Sequence, residues 1–213
     1  MRVPKHAGTE CFAMIVDING FVQMVKRDDM GGAAAYTHDV LIGAVAKVEK
    51  NGGEVVAFMG DAFLSLLGSA DDVFQACHDI AKDVDAQCEY ISEEQQNHPE
   101  LWPFARGGPS IKILIEFGHI SIVNIQSDFL GQQPLLIGKC INYASRLGAA
   151  GVGNRCLLGP EAAKLIKAIG FEVEGPWEVI GKDKAEKRQY FKLPLGDVWR
   201  EGDPDEMKDS YWG

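Results

Sequence analysis

Residues 52–67 read GGEVVAFMGDAFLSLL. EVVAF (54–58) and AFLSLL (62–67) are strand-forming runs separated only by Met59-Gly60-Asp61. So short a connection requires an antiparallel hairpin, with Asp61 at or beside its tip. Just before it, Asn51-Gly52-Gly53 stops a helix: from Ala33 to Val48 the apolar residues Tyr36, Val40, Leu41, Ala44, Val45 and Val48 recur at helical spacing. Further upstream, CFAMIV (11–16) is a continuous apolar run closed by Asp17 and the turn-forming Asn19-Gly20. That pattern predicts a buried strand ending at a loop, and Phe21 to Lys26 reads as a first helical turn or two.

Downstream of the hairpin, Asp71-Asp72 opens a helix, acidic where the dipole favours it. Its stripe is Val73, Ala76, Cys77, Ile80, Val84 and Cys88. Residues 92–109 are polar and carry Pro99, Pro103, Gly107 and Gly108, which predicts a long exposed loop or insertion. IKILIEF (111–117) and HISIVNI (119–125) read as a second pair of strands about Gly118. Cys140 to Leu147 reads as a short helix and RCLLG (155–159) as a strand, and Pro160-Glu161 opens another helix. Strands around 171–174 and 189–193 follow. The expectation is a single α+β domain over residues 1–195, a mostly antiparallel sheet flanked by helices, with an acidic tail over 196–213.

At 213 residues, 46% hydrophobic and 24% charged, the chain has the balance of an ordinary globular protein and can bury a core without disulfides. Lys and Arg total 21 against 31 Asp and Glu, a formal net charge of −10. Such a surface repels nucleic acid and anionic membranes, so any anionic ligand needs a few placed cations or a metal. The five cysteines (Cys11, Cys77, Cys88, Cys140, Cys156) are scattered, without a CxxC, and read as buried free thiols in a reducing compartment. The N-terminus has no signal-peptide pattern and no stretch is long enough to span a bilayer, so the expected location is cytoplasmic.

Four groups of residues could do chemistry. Asp17 ends a buried strand and Asp61 sits at the hairpin tip, so adjacent strands could present both to a hard divalent cation. The plainer alternative is a helix cap and a turn residue. Ile18-Asn19-Gly20-Phe21 joins a strand to a helix and could offer backbone N–H groups to phosphates. Asn142 and Arg146, four apart, would project from one helix face, suited to a sugar and a phosphate oxygen or merely to water. Lys182 and Lys184 precede the last strand, where a cation could reach a triphosphate or merely be solvated.

Their order along the chain resembles that of the class III nucleotidyl cyclases, the adenylate and guanylate cyclase catalytic domains. IVDINGF (15–21) is similar to the family's Asp-Ile-x-Gly-Phe segment, and GGEVVAFMGDAFLSLL (52–67) to its GGE…GD hairpin. ILIEFG (113–118) is similar to the strand before its dimer-facing region. IGKCINYASRL (137–147) resembles its Gly-x-x-Val-Asn-x-Ala-x-Arg-Leu helix, and RCLLGPEA (155–162) the strand and helix after it. The likeness runs from about residue 9 to 193.

The resemblance implies a ferredoxin-like core and a cyclase acting on a nucleoside triphosphate. Asp17, Asp61 and the carbonyl of Ile18 would ligate two Mn²⁺ or Mg²⁺ ions per site, which activate the ribose 3′-hydroxyl and grip the triphosphate. Asn142 would fix the ribose and Arg146 neutralise charge at the α-phosphate. Asn19, Gly20 and Phe21 would present N–H groups to phosphates, and Lys182 or Lys184 would be the triphosphate lysine. In the family the Asp pair comes from one domain and the Asn/Arg helix from another. A chain carrying both implies a head-to-tail homodimer with two shared sites.

Purine cyclases of the family read the base with a polar pair, and the corresponding positions here are Ala57 and Leu135. An apolar pocket cannot reward a purine's hydrogen-bonding edge. That hybrid pattern resembles the bacterial pyrimidine cyclases of Pycsar-type anti-phage defence, which make cyclic UMP or CMP to switch on a companion effector. Uridine is favoured over cytidine. An adenylate cyclase with an atypical base pocket and a catalytically silent nucleotide-binding regulator are the alternatives.

Overall fold

The computed structural model describes residues 4–6, 8–19, 21, 30–97, 110–128, 131–150, 153–180 and 187–196. The chain runs β1 (Glu10–Ile18), α1 (Met30–Lys50), β2 (Glu54–Phe58), β3 (Ala62–Leu67), α2 (Ala70–Asn97) and β4 (Ile111–His119). Then come β5 (Ser121–Ser127), β6 (Gly131–Ile137), α3 (Lys139–Leu147), β7 (Arg155–Leu158), α4 (Pro160–Ala168), β8 (Glu174–Ile180) and β9 (Lys187–Lys192). Seven strands form one sheet in the order β2-β3-β1-β4-β7-β9-β8, and β5 with β6 forms a separate ribbon. Among the described residues β4–β7 is the one parallel pairing. The spatial order β2-β3-β1-β4 is a ferredoxin-like core. The expected α+β architecture is therefore observed.

The unbroken apolar run of β1 has a simple cause: the strand is central and covered on both sides. Phe12, Met14, Val16 and Ile18 join a core with Val40, Leu41, Ala44 and Val48 of α1. The same core takes in Val73, Cys77, Ile80 and Val84 of α2, and Ala162, Ala163 and Ile166 of α4. The alternate residues Cys11, Ala13 and Ile15 join a second core beneath α3, through Cys140, Ala144 and Leu147. Asp17 continues this second set, so strand alternation places it on the α3 side of the sheet. Cys11, Cys77, Cys140 and Cys156 are buried free thiols, as expected, and the side chain of Cys88 lies outside the described residues. No helix among the described residues is long and apolar enough to cross a membrane.

Several expectations are corrected. The polar segment from residue 92 is not loop at its start: α2 continues to Asn97, because the helix propensity of Glu and Gln prolongs a helix without an apolar stripe. β4 and β5 do not pair with each other: β4 lies between β1 and β7, while β5 pairs with β6, a strand the sequence reading lacks. Residues 171–173 are not a strand, and β8 begins at Glu174. β8 is the sheet edge, where Pro176 costs no ladder bond. Gly20, Lys182, Lys184, residues 98–109 and the tail beyond Gly196 lie outside the described residues, as does the chain immediately after Phe21.

Candidate active site

The β1–β3 register sets Asp17 opposite Ala62, and the main chain of Asp61 accepts the N–H of Ile18 at 3.1 Å. Both aspartates thus belong to one end of the sheet. The hairpin between β2 and β3 closes with the N–H of Met59 on the carbonyl of Ala62 at 2.7 Å. Gly60 takes φ +70°, a left-handed turn that a side chain would strain. Burial is the main force pushing the Asp61 carboxyl above its ordinary value, and the negative charge of Asp17 adds to it. Its own N–H and the charge of Lys112 act in the opposite sense.

Lys112 is the residue that sequence reading passed over. It stands directly across from Asp17 in the β1–β4 register, its Nζ 3.2 Å from Asp17 Oδ2. The same amine donates to the carbonyl of Gly148 at 3.3 Å. The signal available was a single cation inside the otherwise apolar IKILI.

Asn19 is engaged within the chain. Its backbone N–H donates to Ser110 O at 2.8 Å, so it is not on offer to a phosphate. Its side-chain amide donates to Ser110 Oγ at 2.9 Å and to Gly153 O at 3.0 Å, fastening the loop after α3 to the end of β1. Phe21 packs partly buried against the core under α1 and α2.

On α3, Cys140, Ala144 and Leu147 face the sheet. Asn142 and Arg146 are exposed on the outward side, as their spacing required. Of the two residues at the expected base positions, Ala57 packs half-buried against the α3-side core, just past a bulge in β2. Leu135 instead points outward from the ribbon, paired with Val123, while its neighbour Leu136 packs on the domain. Neither side chain offers a hydrogen bond.

Among the described residues no three His, Cys, Asp or Glu side chains cluster as a metal cage. Two carboxylates fit Mg²⁺ or Mn²⁺ nonetheless, since these hard ions commonly take one or two carboxylates and complete their shells with water and phosphate oxygens.

No family model matches the chain, and no curated protein does. Solved structures do match it. The adenylyl cyclase CyaB from P. aeruginosa superposes with a TM-score of 0.68 at 19% identity, over 91% of this chain and 97% of that one. The guanylate cyclase domain of RhGC from Catenaria anguillulae, solved with GTP, gives 0.67 at 17%, over 87% and 96%. Adenylate cyclases from Trypanosoma brucei give 0.66 at 13%, over 94% of each chain. The fold is that of the class III nucleotidyl cyclase domains. At such identities the likeness is one of fold. The match spans between 87% and 94% of this chain.

Proposed function

We propose that the chain is a nucleotidyl cyclase converting a pyrimidine nucleoside triphosphate, UTP in preference, to its 3′,5′-cyclic monophosphate and pyrophosphate. The observation that carries the cyclase reading is the Asp17/Asp61 pair at one sheet end together with Asn142 and Arg146 on an exposed helix face over the same side of the sheet. Asp17, Asp61 and the Ile18 carbonyl would hold the divalent ions. Bound there, such ions supply a more acidic 3′-hydroxyl and neutralise triphosphate charge. Asn142 orients the ribose so that O3′ lies in line with the α-phosphorus. The O3′–Pα bond forms, the bond to the pyrophosphate oxygen breaks, and the hydroxyl proton is released. Arg146 stabilises charge gathering on the α-phosphate, a role whose loss costs about 10²–10³ in rate. Lys182 or Lys184 completes the triphosphate contacts.

Head-to-tail pairing of two copies brings the Asp pair of one to the α3 of the other. Support comes from the ribbon, whose outward face carries Val123, Ile125, Leu135 and Ile137, each between 44% and 49% exposed. An apolar stripe of this kind suits burial against a second copy. The pyrimidine preference rests on Ala57 and Leu135, which give a purine edge nothing to bond. The product would act as a second messenger in anti-phage defence through a companion effector. An adenylate cyclase with an atypical pocket is the second reading, favoured by the adenylyl cyclases among the structural matches.

The test is product analysis with Mn²⁺ and each of the four nucleoside triphosphates separately. Cyclic UMP or CMP as the main product is expected. Cyclic AMP without UTP turnover would establish the second reading, and no cyclic product from any substrate would overturn the enzymatic one.

A further inference from the structure

Three polar side chains stitch the aspartate end of the sheet to the loop following α3. Lys112 bonds the carbonyl of Gly148, Asn19 bonds that of Gly153, and Asn154 Oδ1 accepts the N–H of Ile111 at 3.0 Å. Gly148 is the residue that closes α3, its N–H on the carbonyl of Arg146. Lys112 differs from the other two because it also grips Asp17, with only 12% of its side chain exposed against 26% for Asp17. One amine therefore holds a carboxylate assigned to metal binding and the end of the helix that carries Asn142 and Arg146.

We propose that Lys112 is a positioning residue that couples divalent-cation occupancy at Asp17 to the C-terminal end of α3; this rests on the reading of Asp17 and Asp61 as cation ligands. A divalent ion on Asp17 brings twice the charge of the amine to the same oxygens. The two cations repel, so the Lys112–Asp17 contact is given up and the amine is left to Gly148. Its hold on the last turn of α3 then differs between the empty and the occupied site. In a head-to-tail homodimer that helix serves the opposite site, so Lys112 would link the two.

Mn²⁺ alone, without nucleotide, is the probe. Binding is followed by electron paramagnetic resonance, and hydrogen exchange is read at the amides of Ala149 and Ala150, which bond the carbonyls of Arg146 and Leu147. Lys112→Gln should bind Mn²⁺ about fivefold more tightly than wild type, the weight of one partly exposed ion pair removed from competition. Lys112→Met, which keeps the apolar stem, should do the same if the Gln variant folds poorly. Lys139→Gln, an exposed lysine on the first turn of α3, should leave the affinity unchanged. Mn²⁺ should alter exchange at Ala149 and Ala150 in wild type and not in either Lys112 variant. Equal affinities for wild type and the Lys112 variants, or amides indifferent to Mn²⁺ in wild type, would overturn the coupling. A protein that does so yet still makes a cyclic nucleotide leaves the cyclase reading standing.

Discussion

Asp61→Asn separates what the site costs the fold from what it does for the ligand. The variant keeps the side-chain volume and one acceptor oxygen, but removes a carboxylate that burial and the neighbouring Asp17 both disfavour in its charged form. The sign follows from proton linkage. The folded chain holds the Asp61 proton more tightly than the unfolded chain, whose ordinary value is 3.8. The contribution of this group to wild-type stability is therefore whole below pH 3.8 and is lost as pH rises through the raised value. Asn has no such loss. With EDTA at pH 7 the variant should be the more stable protein by about 1 kcal/mol, the scale of a partly exposed charge interaction. In a domain of this size that raises the melting temperature by about 2–4 °C. The gap should shrink toward zero as pH falls to the ordinary carboxylate range. With Mn²⁺ at a hundred times its dissociation constant the order should reverse. Wild type should gain about 2.7 kcal/mol by mass action, and the variant, without the carboxylate proposed to hold the ion, should gain little. Scanning calorimetry of both proteins from pH 4 to 8, with EDTA and with Mn²⁺, reads all of this. A variant less stable than wild type in EDTA at neutral pH, or an equal Mn²⁺ shift in both, would refute the reasoning.

Three further outcomes are expected. Asp61→Ala and Arg146→Ala, each inactive alone, should regain about a quarter of wild-type activity when mixed and allowed to exchange, because half the dimers are then mixed and each has one intact site; no recovery in verified mixed dimers would rule out a shared site. Glu116 is buried, accepts the N–H groups of Phe117 at 2.8 Å and Ala162 at 2.9 Å, and is pushed above its ordinary 4.5 chiefly by burial. Its contribution to stability is thus fully present below pH 4.5 and falls as pH rises through the raised value, so the melting temperature of Glu116→Gln should improve relative to wild type with rising pH. Gly159→Ala would drive a methyl into the Glu116 carboxylate and to 2.9 Å from the Tyr143 ring, and should cost about 1–3 kcal/mol in urea denaturation.

What could be read from the residues, and what could not, divides along burial. β1, β3 and β4 are covered on both faces, so nearly every position had to be apolar and the runs were unmistakable. Asp17 and Asp61 stood out for the same reason: a carboxylate is conspicuous where such a run stops. β6 escaped notice because GQQPLLI belongs to a two-stranded ribbon, which needs no continuous apolar pattern and tolerates a proline. The last turns of α2 escaped because Glu and Gln sustain a helix by propensity alone, and a polar stretch then looks like loop.

Lys112 marks a different limit. Its chemistry depends on what lies across the sheet from it, and cross-strand register is set by strand order, which composition does not reveal. The same holds for Asn19, whose position after β1 suggested a phosphate loop but whose partners, Ser110 and Gly153, are 91 and 134 residues away. Both belong to the connections between the aspartate end and α3, not to either cluster alone. This has a physical logic. Each cluster is local in sequence, so a short motif records it. The distance between the clusters is fixed only by long-range contacts: the apolar packing of α3 on the sheet, and polar links made by single residues such as Lys112 and Asn19. If the two halves of a reaction centre must meet across a dimer, errors in that internal distance are passed directly to the reacting atoms. A chain built this way needs firm stitching between the clusters, which is where Lys112, Asn19 and Asn154 are found.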